Sequence, residues 1–394
     1  MHDLMARLGN PHHEFSAVHV TGTKGKGSVC ALLEVALHSA GIGVGRYASP
    51  HIFSVCERVS VRRHDVDYHA LARALDTVLD AREDAISAGT AAKDATWFDA
   101  ITAAAFLVFA EEKIDWVVVE VGLGGRLDST NVVDGKICVI TNVALEHTDV
   151  LGDSLVQIAL EKAGIIKRGS VVVTAVAHDC EAFAPLALLA RTRQAPLVVV
   201  DRKKGITRQN VEIAGAVLDQ LGVLGVRGGF ASPIGRTLLD EETLRSARLP
   251  GRVERAEVTK LGRRVRVVLD GAHVDIALLA LLEELGDAPW ANEPMVVIFA
   301  LGKDKNPRSM LAVLCRRVRH IIFTRLNDQI CWEPEELAIV ARELNISASI
   351  ERDLPVALEE CFKLIEHNGW ILATGSLYLM GPMREALTAT APAI

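Results

Sequence analysis

The chain has few cysteines for its 394 residues, and they show no pairing pattern. None of the seven belongs to a C-x-x-C motif, and an odd number cannot all pair within one chain. This distribution argues against a disulfide framework and is typical of a reduced protein. We therefore expect a cytoplasmic localisation.

An excess of positive charge is also missing. There are 43 lysines and arginines against 50 acidic residues, which gives a net charge of −7 and a pI near 6.0. A protein dedicated to nucleic-acid binding normally carries a basic patch or a high pI. The charge balance therefore predicts no nucleic-acid partner.

No apolar run is long enough to cross a membrane. The longest, AITAAAFLVFA at 100–110, is flanked by Asp99 and Glu111 and falls far short of a membrane span. The first residues, MHDLMARLGNPHHEF, show neither the basic nor the apolar region of a signal peptide. Internal repeats and low-complexity segments are absent too. We expect no membrane partner.

Short β-branched runs alternate with helical patterns along the chain. The first half contains the strand candidates SAVHVTG, VGRYAS, DWVVVEV, KICVITNV, SVVVTAV and PLVVVD, and the second contains RVRVVLDGA, PMVVIFA, HIIFTR and GWILATGS. Apolar strands separated by helices indicate parallel sheets covered on both faces. A turn-rich stretch from 225 leads to LPGRVE, so we predict two α/β domains, residues 1–249 and a smaller one at 250–394.

The stretch VTGTKGKGSVCALLEVALHSAG, at 20–41, is rich in glycine at a predicted strand-to-helix turn. It fails the Walker spacing, because Val20 stands where that pattern needs glycine and Gly27 separates Lys26 from Ser28. Glycines let the backbone approach phosphate oxygens, and a helix N-terminus attracts anions. The context favours a phosphate loop in which Lys26 reaches the β- and γ-phosphates. The alternative is a plain glycine turn with a solvated lysine.

Polar residues also follow the next predicted strands. Glu120 ends an apolar run, where a carboxylate is costly unless it is paired, for example with Arg126, or bound to a metal. Ser49 offers a further oxygen ligand. His147 is an unusual Mg²⁺ ligand, and taken alone it is better interpreted as a structural histidine.

Three further residues have two interpretations each. Lys162, in LVQIALEKAGIIKRG, is by spacing a surface lysine. Asp270 and His273 follow the predicted strand in VVLDGAHVD. They could contact a nucleotide or Mg²⁺, or Asp270 could cap the helix that begins near Asp275.

Taken in order, these segments resemble one family, the folylpolyglutamate synthase/dihydrofolate synthase branch of the Mur ligases. The matching segments span residues 4–384 and are TGTKGKGS, ASPHIFSVCERV, TWFDAITAAAF, EVGLGGRLDSTN, ITNVALEHTDVLG, IALEKAGIIK, LPGRVE, LDGAH and TGSLYLMG. The resemblance implies a Mur-ligase-like α/β fold, with a P-loop parallel-sheet ATPase domain followed by a Rossmann-like domain.

The resemblance also implies roles for individual residues. The phosphate loop of the family, G-T-x-G-K-G-[ST], matches Gly22, Thr23, Lys24, Gly25, Lys26, Gly27 and Ser28. Further nucleotide contacts fall on Asn210, Arg252, Asp270 and His273. The Mg²⁺ ligands fall on Ser49, Glu120 and His147, and the lysine that family members carbamylate falls on Lys162. The dihydropteroate-binding positions fall on Thr96, Leu127, Asp128 and Ser129.

The implied reaction is ATP-dependent amide formation, with Lys26, His147 and Lys162 as its catalytic residues. A folate-type carboxylate, from dihydropteroate or tetrahydrofolate polyglutamate, takes the γ-phosphate, and L-glutamate then attacks the acyl phosphate. The implied cofactors are ATP and Mg²⁺, with room for a monovalent cation such as K⁺. The implied partners are these small molecules, and the implied state is a monomer.

Departures from the family pattern keep other functions open. The segment before the first predicted strand is shorter than in family members, and Val274 and Asp275 follow DGAH where the family has asparagine. The first departure suggests a Mur-type amide ligase with a different acceptor. Together with a shortened stretch before Asn210, it would also fit a degenerate ATP-binding paralogue.

Overall fold

The computed structural model describes residues 1–260, 262–326, 330–365 and 368–390. The chain forms two compact units, Met1–Ala247 and Arg248–Ile394. The predicted alternation of strands and helices is confirmed in both units.

The first unit is built on an eight-stranded sheet. Its strands are β1 (Ser16–Thr21), β2 (Val44–Tyr47), β3 (Val59–Val61), β4 (His64–Asp65), β5 (Trp116–Glu120), β6 (Gly135–Ile140), β7 (Val171–Thr174) and β8 (Leu197–Val199). Its helices are α1 (His2–Arg7), α2 (Lys26–Ser39), α3 (Tyr68–Ala88), α4 (Trp97–Glu111), α5 (Thr148–Leu151), α6 (Leu155–Ala163), α7 (Phe183–Thr192), α8 (Ile206–Val223) and α9 (Glu241–Ser246).

The strand order of this sheet is β4-β3-β2-β5-β1-β6-β7-β8. The six strands from β2 to β8 in that order are parallel, whereas β3 and β4 add an antiparallel edge. Two apolar clusters, one with α3 and α4 and the other with α6 and α7, cover the face of the sheet that carries Val117, Val119 and Val121 of β5. Helices α2 and α8 contact each other and also pack against the central strands. Because the central strands are parallel, the loops after β2, β5, β1 and β6 all leave the same edge of the sheet.

The second unit has a six-stranded sheet of order β13-β12-β11-β14-β10-β9, in which only the β9–β10 pair is antiparallel. Its strands are β9 (Glu254–Lys260), β10 (Arg263–Leu269), β11 (Met295–Phe299), β12 (Val318–Phe323), β13 (Ala348–Ile350) and β14 (Trp370–Thr374). Its helices are α10 (Asp275–Leu285), α11 (Pro307–Leu314), α12 (Pro334–Glu343), α13 (Leu354–Leu364) and α14 (Met380–Thr390).

Several helices begin where a polar side chain caps free backbone N–H groups. Thr96 and Asp99 form a reciprocal capping box at the start of α4, and Ser154 and Gln157 form another at α6. Asp67 accepts hydrogen bonds from two amides at the start of α3. Such caps typically stabilise a helix by about 1 kcal/mol each, and here they fix where α4 and α6 begin.

The structure differs from the sequence predictions at a few elements. Strands β3, β4, β9 and β13, the short helices α1, α5 and α9, and helix α14 are present although the sequence patterns did not predict them. The residue pattern predicts a helix over 308–318, but α11 ends at Leu314 and β12 begins at Val318.

All seven cysteines lie in the described part of the chain and are free thiols. Four are buried, Cys180 and Cys331 are partly exposed, and Cys315 at the end of α11 is exposed. In the described residues, no helix is both long and apolar enough to span a membrane.

Candidate active site

The glycine-rich loop between β1 and α2 has a backbone that only glycine adopts easily. Gly22 and Gly25 have φ angles of 147° and 86°. A methyl group at Gly22 would collide with Thr141 Oγ1, and one at Gly25 would collide with Asn210 Oδ1. The buried side chain of Asn210, on α8, therefore lies directly against this loop.

Residues at the end of β6 hold the loop in place. The backbone N–H groups of Thr23 and Lys24 donate to Asn142 Oδ1 over 3.2 and 2.9 Å. Thr141 Oγ1 donates to the Lys24 carbonyl over 2.6 Å. The sequence analysis did not identify Thr141 and Asn142, although both lie directly after an apolar strand, where site residues are expected in a parallel sheet.

Lys26 is the first residue of α2, and its Nζ donates to the carbonyl of Gly22 over 2.9 Å. The ammonium group therefore folds back over the loop. The first amides of a helix have no acceptor within the helix, and the helix dipole places partial positive charge there. Loop, lysine and helix terminus together form a setting that suits a phosphate group.

A second lysine of the loop forms an ion pair with the neighbouring loop. Lys24 Nζ lies 2.8 Å from Glu146 Oε1, and both side chains are largely buried. His147 follows Glu146 and precedes α5, with a left-handed backbone (φ 52°). The ion pair therefore connects the phosphate loop to the loop that carries His147.

Glu120 ends β5 and is only 4% exposed. Its Oε2 accepts the backbone N–H of Ser49 over 3.1 Å, so the ends of β5 and β2 meet here. Arg126, the alternative partner from the sequence analysis, forms its ion pair with Glu161 at 2.8 Å. The structural ion pair between Glu120 and Arg126 is therefore not formed.

The donor set around Glu120 is compatible with Mg²⁺. A buried carboxylate beside a serine brings together the oxygen ligands that this ion prefers. The described residues hold no cluster of three or more histidine, cysteine or acidic side chains suited to a metal. Mg²⁺ itself keeps several waters and binds through few protein groups plus substrate phosphates. The sheet order places His147 on the same edge, after β6.

The interpretation of Lys162 as a surface lysine is wrong. The residue lies in α6 and is 4% exposed. Burial, together with the positive charges of Lys26 and Lys24, lowers the pKa of its ammonium to about 7, although Glu146 opposes the shift. Lys162 is therefore close enough to the phosphate loop to interact with it electrostatically.

The four residues that the family resemblance predicts to contact dihydropteroate belong to two neighbouring segments. Ser129 Oγ donates to Asp99 Oδ1 over 2.7 Å, and Thr96 Oγ1 donates to Asp99 Oδ2 over 2.7 Å. The carboxylate of Asp128 accepts from the Leu123 amide and from Thr130, and burial raises its pKa. Leu127 is highly exposed beside it.

The second unit carries its own polar residues at the end of β10. Asp270 is nearly buried, and its two carboxylate oxygens accept the backbone N–H groups of Val253 and Ala272 over 2.8 and 2.9 Å. His273 Nδ1 lies 2.9 Å from the Gly271 carbonyl oxygen. The N-cap of α10 is Val274, so Asp270 does not cap that helix. It fixes instead the turn that contains Arg252.

Comparison with known proteins gives matches over nearly the whole chain. Residues 20–217 match the family model of the Mur ligase middle domain, and residues 254–386 match that of the dihydrofolate synthetase C-terminal domain. The chain is 32% identical to a dihydrofolate synthase/folylpolyglutamate synthase of Bacillus subtilis, over 98% of this chain and 94% of the relative.

Solved structures agree with these matches. Escherichia coli FolC in complex with DHPP and ADP has a TM-score of 0.81 at 25% identity, over 98% of this chain and 92% of that one. A bifunctional folylpolyglutamate synthase/dihydrofolate synthase of Yersinia pestis, complexed with AMPPNP and a Mn ion, has a TM-score of 0.81 at 26% identity, with the same coverage.

Proposed function

The chain belongs to the folylpolyglutamate synthase/dihydrofolate synthase family of Mur ligases, and on that basis we propose that it is an ATP-dependent ligase that joins L-glutamate to a folate-type carboxylate. The observation that carries the proposal is the edge of the first sheet. At this edge, neighbouring parallel strands are followed by the phosphate loop and by the segments that carry Ser49 and Glu120. The buried amine of Lys162 lies close enough to interact with the lysines of that loop.

The phosphate-loop residues 22–28 bind the ATP phosphates, with Lys26 as their counter-charge. Asn210, which packs against Gly25, contacts the nucleotide from the same unit. Arg252, Asp270 and His273 are the nucleotide contacts of the second unit. The ADP and AMPPNP complexes of the relatives support this assignment.

Ser49, Glu120 and His147 would hold Mg²⁺, and the Mn ion in the Yersinia pestis relative supports a divalent site. The ion, when bound, screens the negative charge that resists attack on the γ-phosphate. K⁺ or a similar monovalent cation is a further candidate cofactor. The acceptor carboxylate becomes an acyl phosphate, which the amino group of L-glutamate then attacks with release of phosphate.

Lys162 is the proposed carbamylation site. An amine must be neutral to react with carbon dioxide, and a pKa of about 7 leaves a large neutral fraction at physiological pH. A carbamate on Lys162 would carry a negative charge. The nearby positive charges of Lys24 and Lys26 would stabilise that charge in its buried position.

Thr96, Leu127, Asp128 and Ser129 are the proposed acceptor contacts. Hydrogen bonds through Asp99 already connect Thr96 to Ser129, so the polar groups keep a fixed geometry. DHPP bound to Escherichia coli FolC supports a dihydropteroate-like acceptor. Which half-reaction dominates, on dihydropteroate or on tetrahydrofolate polyglutamate, is for the experiment to decide.

We infer further that the enzyme acts as a cytoplasmic monomer, without nucleic-acid or membrane partners. The support is its acidic net charge, its free cysteines and the small-molecule substrates of the proposed reaction. Sedimentation velocity tests the monomer directly, since a dimer of a 42.6 kDa chain sediments clearly faster.

The test is glutamate-dependent release of ADP by the purified chain with Mg-ATP. It is run with dihydropteroate, with tetrahydrofolate and with neither, and the product mass is read. Release with a folate acceptor and a product heavier by one glutamyl unit is the expected result. The Lys26→Ala variant should show no glutamate-dependent release of ADP. ATP binding without release for either acceptor would instead indicate a different acceptor or an inactive paralogue.

A further inference from the structure

Arg58 is a buried arginine in the loop that leads from β2 to β3. It is 6% exposed and ends a short 3-10 turn, Val55–Arg58. Its Nε donates to Nδ1 of His51 over 2.9 Å. The imidazole must therefore accept at Nδ1, which requires the neutral tautomer protonated at Nε2.

The Arg58 charge has no carboxylate partner among the described residues. The adjacent Glu57 turns away, and its oxygens accept the amides of Ile52, Phe53 and Ser54 over 2.7–2.8 Å. Asp99 and Asp128 likewise accept hydrogen bonds from other hydroxyl and amide donors. An arginine this deeply buried without an ion pair is costly, so another interaction must offset its desolvation.

Besides its hydrogen bond to His51, Arg58 stacks on Trp97. The Arg58 Cζ lies 4.9 Å from the centroid of the indole ring. Tyr47 is also close, since the Arg58 guanidinium is among the groups that counteract the burial-driven rise in the pKa of its phenol. Trp97 itself is 59% exposed although it is the first residue of α4. One face of the indole is thus held by the guanidinium, while much of the ring remains open to solvent.

Trp97 lies next to residues that are proposed to contact the acceptor. Thr96 precedes it directly, and Asp99 of the same helical turn connects Thr96 to Ser129. His51 and Arg58 belong to the loop whose Ser49 touches Glu120. The Arg58–Trp97 stack therefore connects the metal side of the site to the acceptor side. An exposed, immobilised indole suits stacking against a flat heteroaromatic ring.

We propose that Arg58 is a positioning residue for the acceptor: it fixes Trp97 and His51 so that the pteridine ring of the acceptor stacks on the open face of the indole. The inference rests on the proposed function and deepens it. Arg58 acts through Trp97 and takes no part in binding ATP. Loss of the stack should therefore weaken acceptor binding while nucleotide binding is unchanged.

The experiment compares Arg58→Gln, Arg58→Lys, Trp97→Ala and the double variant. Arg62→Gln is the matched control, because Arg62 lies just beyond β3, is exposed and pairs with Glu112. Two quantities are measured: the dissociation constant of 7,8-dihydropteroate by equilibrium dialysis, and KM for acceptor and for ATP. ADP affinity and the thermal midpoint report whether each variant is folded.

We expect Arg58→Gln and Trp97→Ala each to weaken dihydropteroate binding about tenfold, as loss of a desolvated cation–π contact would. The double variant should be little worse than either single one, Arg58→Lys should recover part of the affinity, and ADP affinity should stay within twofold. Additive effects, or equal losses for ATP and acceptor, would overturn the proposal. Because Trp97 is exposed, its variant tests the idea even if Arg58→Gln does not fold.

The two proposals fail in different ways. If the wild type binds dihydropteroate but releases no ADP, the ligase assignment falls while the dialysis data still judge the role of Arg58. If the wild type is active and Arg58→Gln keeps its dihydropteroate affinity, the ligase assignment stands and the role of Arg58 is refuted. A wild type that binds neither dihydropteroate nor tetrahydrofolate refutes both.

Discussion

Lys24 and Glu146 form a largely buried ion pair of 2.8 Å, and this pair spans two loops that follow different strands. Lys24 belongs to the phosphate loop after β1, and Glu146 precedes His147 in the loop after β6. Both residues also act on Lys162, in opposite directions. The pair therefore couples the placement of the phosphate loop to the electrostatics of the buried lysine.

The coupling energy of this pair should exceed that of an exposed one. A double-mutant cycle with Lys24→Gln and Glu146→Gln should give about 1–2 kcal/mol in the free energy of urea unfolding, because both groups are shielded from solvent. The same cycle on Arg62 and Glu112, which are about half exposed, should give less than about 0.5 kcal/mol. Equal coupling in both cycles would contradict this prediction.

Gly25→Ala should weaken nucleotide binding without unfolding the protein. The new methyl group would strike Asn210 Oδ1, and φ at this position is 86°. We expect ADP affinity, measured by calorimetry, to fall more than about tenfold, and Asn210→Ala to restore part of it by removing the clash. Gly89→Ala is the control, since Gly89 has a similar φ of 67° and nothing within 4 Å of the added carbon. It should lower stability by about 1 kcal/mol and leave ADP binding intact.

Replacing Lys162 should stabilise the protein in a pH-dependent way. The folded state lowers the pKa of this ammonium from 10.5 to about 7, so the unfolded chain binds more protons between those values. The stability of the wild type should rise with pH in that window. In buffers free of carbon dioxide, the free energy of unfolding from urea titration should therefore be several kcal/mol higher for Lys162→Met than for the wild type near pH 7. This difference should shrink toward pH 10. A constant difference across this range would rule out a buried charge as the cause.

His19 should make the protein sensitive to acid. Its ring is fully buried in β1, where Nε2 meets Thr130 Oγ1 at 2.9 Å, and burial lowers its pKa to about 3. The unfolded chain takes up a proton near pH 6.5 and the folded one does not, so stability is lost as pH falls from about 6.5 toward 3. In His19→Gln the slope of the thermal midpoint against pH should be smaller over that range. An unchanged slope would place the acid sensitivity elsewhere, for instance at His12, whose pKa burial also lowers.

The sequence predicted the architecture well because the strands of both units are continuous apolar runs. It missed β9, whose residues ERAEVTK alternate in charge at an edge of the sheet and lack such a run. Helix α14 was missed as well, since MGPMREALTAT combines glycine and proline at its start. Both elements depend on tertiary neighbours more than on local pattern.

The features of the candidate site also fall into those that the sequence could predict and those that it could not. Lys26, Glu120 and Ser49 follow strands, so their position could be inferred from strand order alone. The burial of Lys162 could not, because its helix shows an ordinary amphipathic pattern and only the packing of α6 shields the amine. The contact of Asn210 with Gly25 and the stack of Arg58 on Trp97 join residues 185 and 39 positions apart. No spacing rule predicts such contacts.

The distribution of the thiols has a practical consequence. Maleimide dyes attach to accessible cysteines, and Cys315 is the exposed one of the seven, at the end of α11 in the second unit. Under brief treatment at neutral pH, a fluorophore should attach there ahead of Cys180 and Cys331. The natural chain thus already contains a labelling position outside the first unit, and single-molecule spectroscopy could begin without an engineered cysteine.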